Sequence, residues 1–177
     1  MVQLRAIDTN HLAETINLYE QAFPENERRP TEEWKKLIET NDDFHVYDIY
    51  KNDAFCGFLS YWTFNDFAYI EHFATHSTVR GGGIGSSVLL NLIEQLKELP
   101  VVLEVELPTD ELKQRRIGFY ERNGFTLLNK PYTQPPYRKG EPSFPLLLMT
   151  TNEQYVSNNW EFVVRAIHKH VYNVENC

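Results

Sequence analysis

A glycine-rich segment, residues 80–86, is the part of this sequence best suited to bind a ligand. It reads Arg-Gly-Gly-Gly-Ile-Gly-Ser and lies between a strand-like run over 69–75 and a helix-like run over 86–99. Glycines let the backbone turn sharply and place no side chains in the way of a ligand. The first amides of a helix have no partners inside the helix and carry a partial positive charge, so this segment predicts a site for an anion, above all a phosphate.

Three nucleotide-binding patterns can be compared with this segment. A Walker loop needs Gly-Lys-Ser/Thr, whereas Gly85 is followed directly by Ser86. A dinucleotide fingerprint needs a glycine where Ser86 stands, and it opens a fold, whereas this segment follows several strand-like runs. The third pattern, Arg-x-x-Gly-x-Gly, is matched by Arg80, Gly83 and Gly85. Taken alone, the segment also leaves open a glycine-rich turn that binds nothing.

A second motif, Phe-Tyr-Glu-Arg-Asn-Gly-Phe, occupies residues 119–125 at the end of a helix-like stretch over 111–123. Gly124 is placed to cap this helix, and Phe125 starts a new apolar run. In this order the two motifs resemble those of the GCN5-related N-acetyltransferases, the GNAT family, which bind acetyl-coenzyme A. The resemblance covers residues 1–150 and is strongest in their middle third.

The resemblance implies a set of coenzyme A contacts. The preceding strand would pair with the pantetheine arm, and it would splay away from the strand over 101–107. Arg115 and Arg116 either reach the 3′-phosphate or form an exposed basic helix face, and Lys113 and Arg116 stand near positions where the family often has Asn and Ala. The residues implied in cofactor binding are Phe73, Ala74, Thr75, Arg80, Gly81, Gly82, Gly83, Ile84, Gly85, Ser86 and Arg116.

Two side chains are predicted to move protons. Tyr120 would protonate the departing thiolate, because a phenol with a reference pKa near 10 is a suitable donor at neutral pH. Glu71 would take the proton from the acceptor amine, directly or through water, as a glutamate on this strand does in many relatives. Strict strand alternation points His72 to the face opposite Glu71. Glu104 and Glu106 are weaker candidates for the base.

Composition limits the classes of function. The chain has 177 residues, 42% hydrophobic and 14% aromatic, which is typical of one globular domain. We expect no membrane span, no secretion signal and no metal site, and the separated Cys56 and Cys177 indicate a reducing cytoplasm. A net charge of −8 argues against nucleic-acid binding and suits a cationic acceptor, or it serves solubility alone.

The acceptor site is predicted from the architecture of the family. Glu25 and Glu27 could hold a cationic amine that Tyr132 and Tyr137 enclose, or these segments are ordinary surface loops. The resulting prediction is an acetyl-CoA-dependent N-acetyltransferase that acts on the primary amine of a small molecule. The alternatives are a protein or peptide N-acetyltransferase and a non-catalytic acyl-CoA-binding module.

The predicted fold is α/β, a mixed and mostly antiparallel sheet of about seven strands flanked by helices, within one domain over 1–177. The order is βααβββαβαβ followed by a last strand, with the first helix over 10–23. An additional C-terminal helix over 151–177 is opened by a capping box of Thr151 and Gln154. This helix is expected to pack on the domain or to form a contact in a homodimer.

Overall fold

The computed structural model of the chain describes residues 1–9, 12–79, 81–97 and 99–174. These residues divide between two compact units, Met1–Leu99 and Pro100–Cys177. Asn10, Arg80 and Cys177 lie outside the described residues. No helix in the described ranges has the length and apolar character needed to cross a membrane. The prediction of one domain over 1–177 stays a prediction.

The first unit contains four described strands and three described α-helices, with two short 3₁₀ turns. The strands pair antiparallel in the order β1-β2-β3-β4. The bounds are β1 Val2–Ala6, α1 Ala13–Ala22, a 3₁₀ turn at Glu25–Glu27, α2 Thr31–Thr40, β2 Phe44–Lys51, β3 Ala54–Thr63, β4 Ala68–Thr75, a 3₁₀ turn at Ser77–Val79 and α3 Ile84–Gln95.

Aromatic side chains fill the space between α1, α2 and the sheet. The Tyr19 ring of α1 stacks on Trp34 of α2 at 4.6 Å between centroids, and both contact Phe58 of β3 edge-on. All three side chains are fully buried. The apolar faces of the two helices therefore pack on β3 and form one core with it.

The second unit contains four described strands and three described helices. The bounds are β5 Val101–Glu106, α4 Glu111–Glu121, β6 Thr126–Leu127, β7 Tyr132–Gln134, β8 Phe144–Thr150, α5 Glu153–Asn158 and α6 Trp160–His170. Among the described residues of this unit, β8 is the central strand and pairs antiparallel with β5, β6 and β7. Strand β7 lies within residues 131–145, whose many prolines and tyrosines favour a loop, so the described strands number eight and not about seven.

The C-terminal segment departs from its prediction in two respects. It forms two helices, because the backbone leaves the helical region at Asn159 (φ −116°, ψ 26°). Asn152, and not Thr151, caps the first of them by accepting a hydrogen bond from the Tyr155 amide at 2.9 Å. The Thr151 hydroxyl instead accepts from the Val101 amide at 2.9 Å, and so ties β5 to the end of β8. Val163, Ile167 and Val171 are fully buried, and this segment contacts its own unit, where the Tyr172 hydroxyl donates to Glu104 of β5 and the His168 ring lies 5.5 Å from the Tyr132 ring.

Candidate active site

The glycine segment forms an exposed turn that leads into α3. Gly81 and Gly83 have φ angles of 81° and 73°, a left-handed conformation that favours glycine. A Cβ atom on either residue would have no neighbour within 4 Å, so the space beside the turn is open. Arg80, predicted to add charge here, lies outside the described residues.

The N-terminus of α3 is suited to an anion. Gly83 precedes the helix and supplies no side-chain cap, and the first turn contains no acidic residue. The Gly83 carbonyl accepts from the Ser87 amide at 3.0 Å, whereas the amides of Ile84, Gly85 and Ser86 precede the first intrahelical bond. The Ile84 side chain is 3% exposed and belongs to the core, so this residue offers only its backbone. These features fit a phosphate group.

Strand β4 leads to this turn and contains a β-bulge at Glu71. Ser60 of β3 lies opposite His72, and the next residue, Tyr61, lies opposite Ile70, which makes Glu71 the extra residue of β4. The bulge interrupts the strict alternation of side chains along the strand. The prediction that His72 faces away from Glu71 is therefore wrong, since Glu71 Oε1 and His72 Nδ1 are 3.9 Å apart on the same face.

The Glu71 carboxylate is fully buried and held by two donors. Arg29 Nη2 donates to Oε1 at 2.7 Å in an ion pair, and Trp62 Nε1 donates to Oε2 at 2.7 Å. The Arg29 side chain is 6% exposed, and its backbone amide donates to the Tyr19 hydroxyl at 2.9 Å. For Glu71 to act as a base, water or substrate must reach its buried carboxylate, whose two oxygens can each accept a further hydrogen bond. The sequence reasoning missed Arg29 and Trp62; a charged residue just before Pro30, in a loop expected to face the acceptor, was the available signal.

His72 ties the same face to the loop between α1 and α2. Its Nε2 lies 3.1 Å from the carbonyl oxygen of Glu27, and because a carbonyl can only accept, Nε2 carries the proton. Burial lowers the pKa of His72, against the opposing effect of the Glu71 charge. The Glu27 side chain itself is exposed on its 3₁₀ turn, as is that of Glu25.

The predicted pantetheine contacts occupy the last part of β4. Phe73, Ala74 and Thr75 pair with Leu59, Phe58 and Gly57 of β3. The approach is close at Gly57, where a Cβ atom would lie 2.2 Å from the Ala74 carbonyl oxygen. Phe73 and Thr75 are half-buried, whereas Ala74 is buried.

Tyr120 lies near the end of α4 in the second unit, and a Schellman motif fixes its backbone. The Phe125 amide donates to the Tyr120 carbonyl at 3.1 Å, the Gly124 amide donates to Glu121 at 3.1 Å, and Gly124 has φ 88°. The predicted cap at Gly124 is thus confirmed. The Tyr120 ring contacts the Phe125 ring edge-on at 5.7 Å. Burial raises the pKa of Tyr120 to about 12, with the Arg116 charge acting in the opposite direction, so the phenol is protonated at neutral pH.

The two arginines of α4 are both paired with carboxylates. Arg116 Nη1 lies 2.5 Å from Glu106 Oε2 of β5, with the two side chains 48% and 40% exposed. Arg115 pairs with Glu111 one turn earlier at 2.5 Å and is more exposed. Contact of Arg116 with a phosphate stays a prediction, and the donors of its guanidinium that do not face Glu106 could make it.

A hydrogen-bond network surrounds Glu104 of β5. Its carboxylate accepts from the Tyr132 hydroxyl, from Gln134 Nε2 at 3.0 Å and from the Tyr172 hydroxyl at 2.8 Å. Tyr132 is 4% exposed, and the Tyr137 ring lies 4.9 Å from the Tyr172 ring. Glu104 therefore anchors the C-terminal segment, a role that the sequence reasoning missed because Tyr172 and Gln134 lay outside both motifs.

Comparison with known proteins identifies the class. The model of the acetyltransferase (GNAT) family matches residues 12–125, and the chain belongs to this family. Its fold is the α/β fold of the family, as predicted, and it is an acetyl-CoA-dependent N-acetyltransferase by class. A search of curated proteins finds no match.

Solved structures give the more specific similarities. The chain is similar to a GNAT-family acetyltransferase of Bacteroides thetaiotaomicron, with 38% identity, a TM-score of 0.91, and coverage of 97% of this chain and 99% of that one. A spermidine N-acetyltransferase SpeG chimera from Vibrio cholerae and hSSAT has 15% identity and a TM-score of 0.67, covering 89% and 98%. Arabidopsis thaliana Naa50, in complex with the bisubstrate analogue CoA-Ac-MVNAL, has 19% identity and a TM-score of 0.62, covering 85% and 98%. The last two likenesses concern the fold alone.

Proposed function

We propose that this protein transfers an acetyl group from acetyl-CoA to a primary amine of a small molecule, by direct attack of the amine on the thioester. The observation that carries the proposal is the open glycine turn before α3, where Gly81 and Gly83 leave room beside an uncapped helix N-terminus. Its chemistry matches the phosphates that a family member must hold.

The same residues would bind the cofactor in this chain. The amides of Gly82 to Ser86 would contact the pyrophosphate, and the end of β4, at Phe73–Thr75, would lie along the pantetheine arm. When bound, acetyl-CoA supplies the thioester carbonyl carbon to which the acceptor nitrogen adds. Residues 81–86 offer no acidic or basic side chain, so they contribute position and the partial charge of their backbone amides.

The exchange of the C–S bond for a C–N bond removes two protons from the ammonium nitrogen: one goes to the base, and the other restores the acid after it has protonated the thiolate. Tyr120 is the proposed acid: its phenol is protonated at neutral pH, and the Schellman motif fixes the backbone that carries it. Glu71 is the proposed base, and it accepts the proton that the ammonium loses, directly or through water. Because this carboxylate is fully buried, water or the acceptor must first reach it, and we propose that binding of the acceptor opens this access.

A cationic small molecule is the proposed acceptor. The net charge of −8 and the exposed Glu25 and Glu27 on the turn after α1 favour a positively charged partner. The similarity in fold to a spermidine acetyltransferase is compatible with this class of acceptor. Tyr132 is too buried to wall an open pocket without movement, so Tyr137 is the better of the two predicted tyrosines. The cytoplasmic location and the homodimer stay predictions.

The test is an acceptor screen that follows thiol release from acetyl-CoA. Monoamines, polyamines, aminoglycosides and amino acids form one set, and peptides with free N-termini form the other. Turnover confined to the first set supports the proposal. Turnover confined to peptides makes this a peptide N-acetyltransferase, and coenzyme A binding without turnover in either set makes it a non-catalytic acyl-CoA-binding module.

A further inference from the structure

Lys51 brings a positive charge to the glycine turn from a part of the fold that neither motif includes. A Cβ atom on Gly82 would lie 3.9 Å from Lys51 Nζ. Lys51 is the last residue of β2, opposite Val2 of β1 and Ala54 of β3. The ammonium group therefore stands beside the backbone that we assign to the pyrophosphate.

The hairpin that carries Lys51 has a two-residue turn, and an ion pair holds the second of these residues. Asn52 and Asp53 have φ angles of 52° and 61°, which is the left-handed pair of a two-residue hairpin turn. Arg5 of β1 pairs with Asp53 at 2.5 Å, and its guanidinium lies 4.4 Å from the centre of the Tyr50 ring. The Arg5 guanidinium is thus already paired with residues of the hairpin, and these contacts tie the end of β2 to β1.

Lys51 is in a different electrostatic situation. Within the described residues its side chain makes no hydrogen bond and no ion pair, and it is exposed. It lies near the positive end of the α3 dipole, where the first turn offers no acidic residue to compensate. Two positive groups side by side repel each other, and an anion that contacts both removes the repulsion.

We propose that Lys51 contacts the pyrophosphate of the bound cofactor and completes the anion site that the glycine turn begins. An ammonium is a point charge that suits phosphoryl oxygens without a fixed geometry, which is the kind of contact an exposed lysine on a hairpin can make. The inference rests on the proposed function, because it assumes that coenzyme A occupies this turn.

The experiment is calorimetric titration of the purified protein with coenzyme A and with 3′-dephospho-coenzyme A. Lys51→Gln is expected to weaken both ligands about fivefold, the effect of losing one exposed ion pair of ~1 kcal/mol. Its affinity should also fall less steeply with added salt than that of the wild type. Lys36→Gln removes the same charge from an exposed site on α2 and is expected to bind both ligands as the wild type does.

Each outcome separates the two proposals. If the wild type fails to bind coenzyme A, the proposed function is wrong. If the wild type binds and Lys51→Gln binds equally well, or if Lys36→Gln weakens binding as much, the Lys51 contact is wrong. A loss for coenzyme A that is absent for the dephospho ligand would assign Lys51 to the 3′-phosphate and overturn the pyrophosphate contact. Matching melting temperatures of the variants confirm that all are folded.

Discussion

Replacement of Gly83 offers a sharp way to separate the charge of the anion site from its shape. Asp and Asn have nearly the same shape, and Asn is among the residues that best tolerate the left-handed conformation found there, with φ 73°. A Cβ atom at this position has no neighbour within 4 Å, so neither variant clashes with the turn. Gly83→Asn and Gly83→Asp therefore form a matched pair that differs in one negative charge.

Compared with Gly83→Asn, Gly83→Asp should be more stable but should bind coenzyme A more weakly. Both lose about 1 kcal/mol of unfolding free energy to the left-handed backbone. The Asp carboxylate regains about 0.5 kcal/mol from the α3 dipole, so Gly83→Asp is the more stable of the two. For binding, the new carboxylate and a cofactor phosphate about 7 Å away repel each other. At an effective dielectric constant of about 20 this repulsion is about 2 kcal/mol, which is about 30-fold in affinity.

Urea denaturation measures the first quantity, and calorimetric titration with coenzyme A measures the second. We expect Gly83→Asn to stay within a fewfold of the wild-type Kd and Gly83→Asp to bind about 30-fold more weakly than Gly83→Asn. Acetyl-pantetheine, which has no phosphate, should not distinguish the two variants. If both bind coenzyme A with equal affinity, the phosphates do not lie at the N-terminus of α3, and the assignment of the glycine turn is refuted.

Three further predictions test other parts of the site. Tyr120→Phe should lower kcat about 100-fold with little change in the Kd for coenzyme A, and equal kcat values would remove Tyr120 from the mechanism. Because the pKa of Tyr120 is about 12, wild-type activity should show no alkaline loss from this group below about pH 11. Arg29→Met removes the Arg29 guanidinium from the buried carboxylate of Glu71 and should lower the free energy of unfolding, measured by urea denaturation, by about 3 kcal/mol. The double variant Arg29→Met/Glu71→Gln should recover most of this loss. If it recovers none, the ion pair is not the cause. Gly57→Ala should destabilise the protein by about 2 kcal/mol, because its Cβ would lie 2.2 Å from the Ala74 carbonyl oxygen, and an unchanged melting temperature would contradict this packing of β3 against β4.

The features that could be predicted from the sequence are those in which cause and effect lie a few residues apart. The cap at Gly124 depends on hydrogen bonds to Tyr120 and Glu121, all within six residues, so the motif contains its own explanation. The turn before α3 is equally local, since the positive φ angles of Gly81 and Gly83 need only glycine. These two local motifs also predicted the family correctly.

The features that were missed depend on contacts between distant parts of the chain. Arg29 and Glu71 are 42 positions apart, and Tyr172 and Glu104 are 68 apart, so no periodicity connects them. Strand β7 has three residues between Pro131 and Pro135, where the composition favours a loop and only pairing with β8 forms a strand. The bulge at Glu71 likewise exists only in the register of β3 against β4.

The bulge in β4 leaves one residue, Glu71, out of the backbone pairing with β3. Because Ile70 and His72 occupy consecutive positions opposite β3, backbone pairing passes over the residue between them. A mutation at position 71 can therefore change the side chain at an unpaired position of the sheet, whereas exchange of either neighbour changes a paired position. Removal of residue 71 altogether would bring the strand back into strict two-residue phase. The same deletion would also take the Glu71 carboxylate away from the buried guanidinium of Arg29, so the extra residue of β4 and this ion pair belong together.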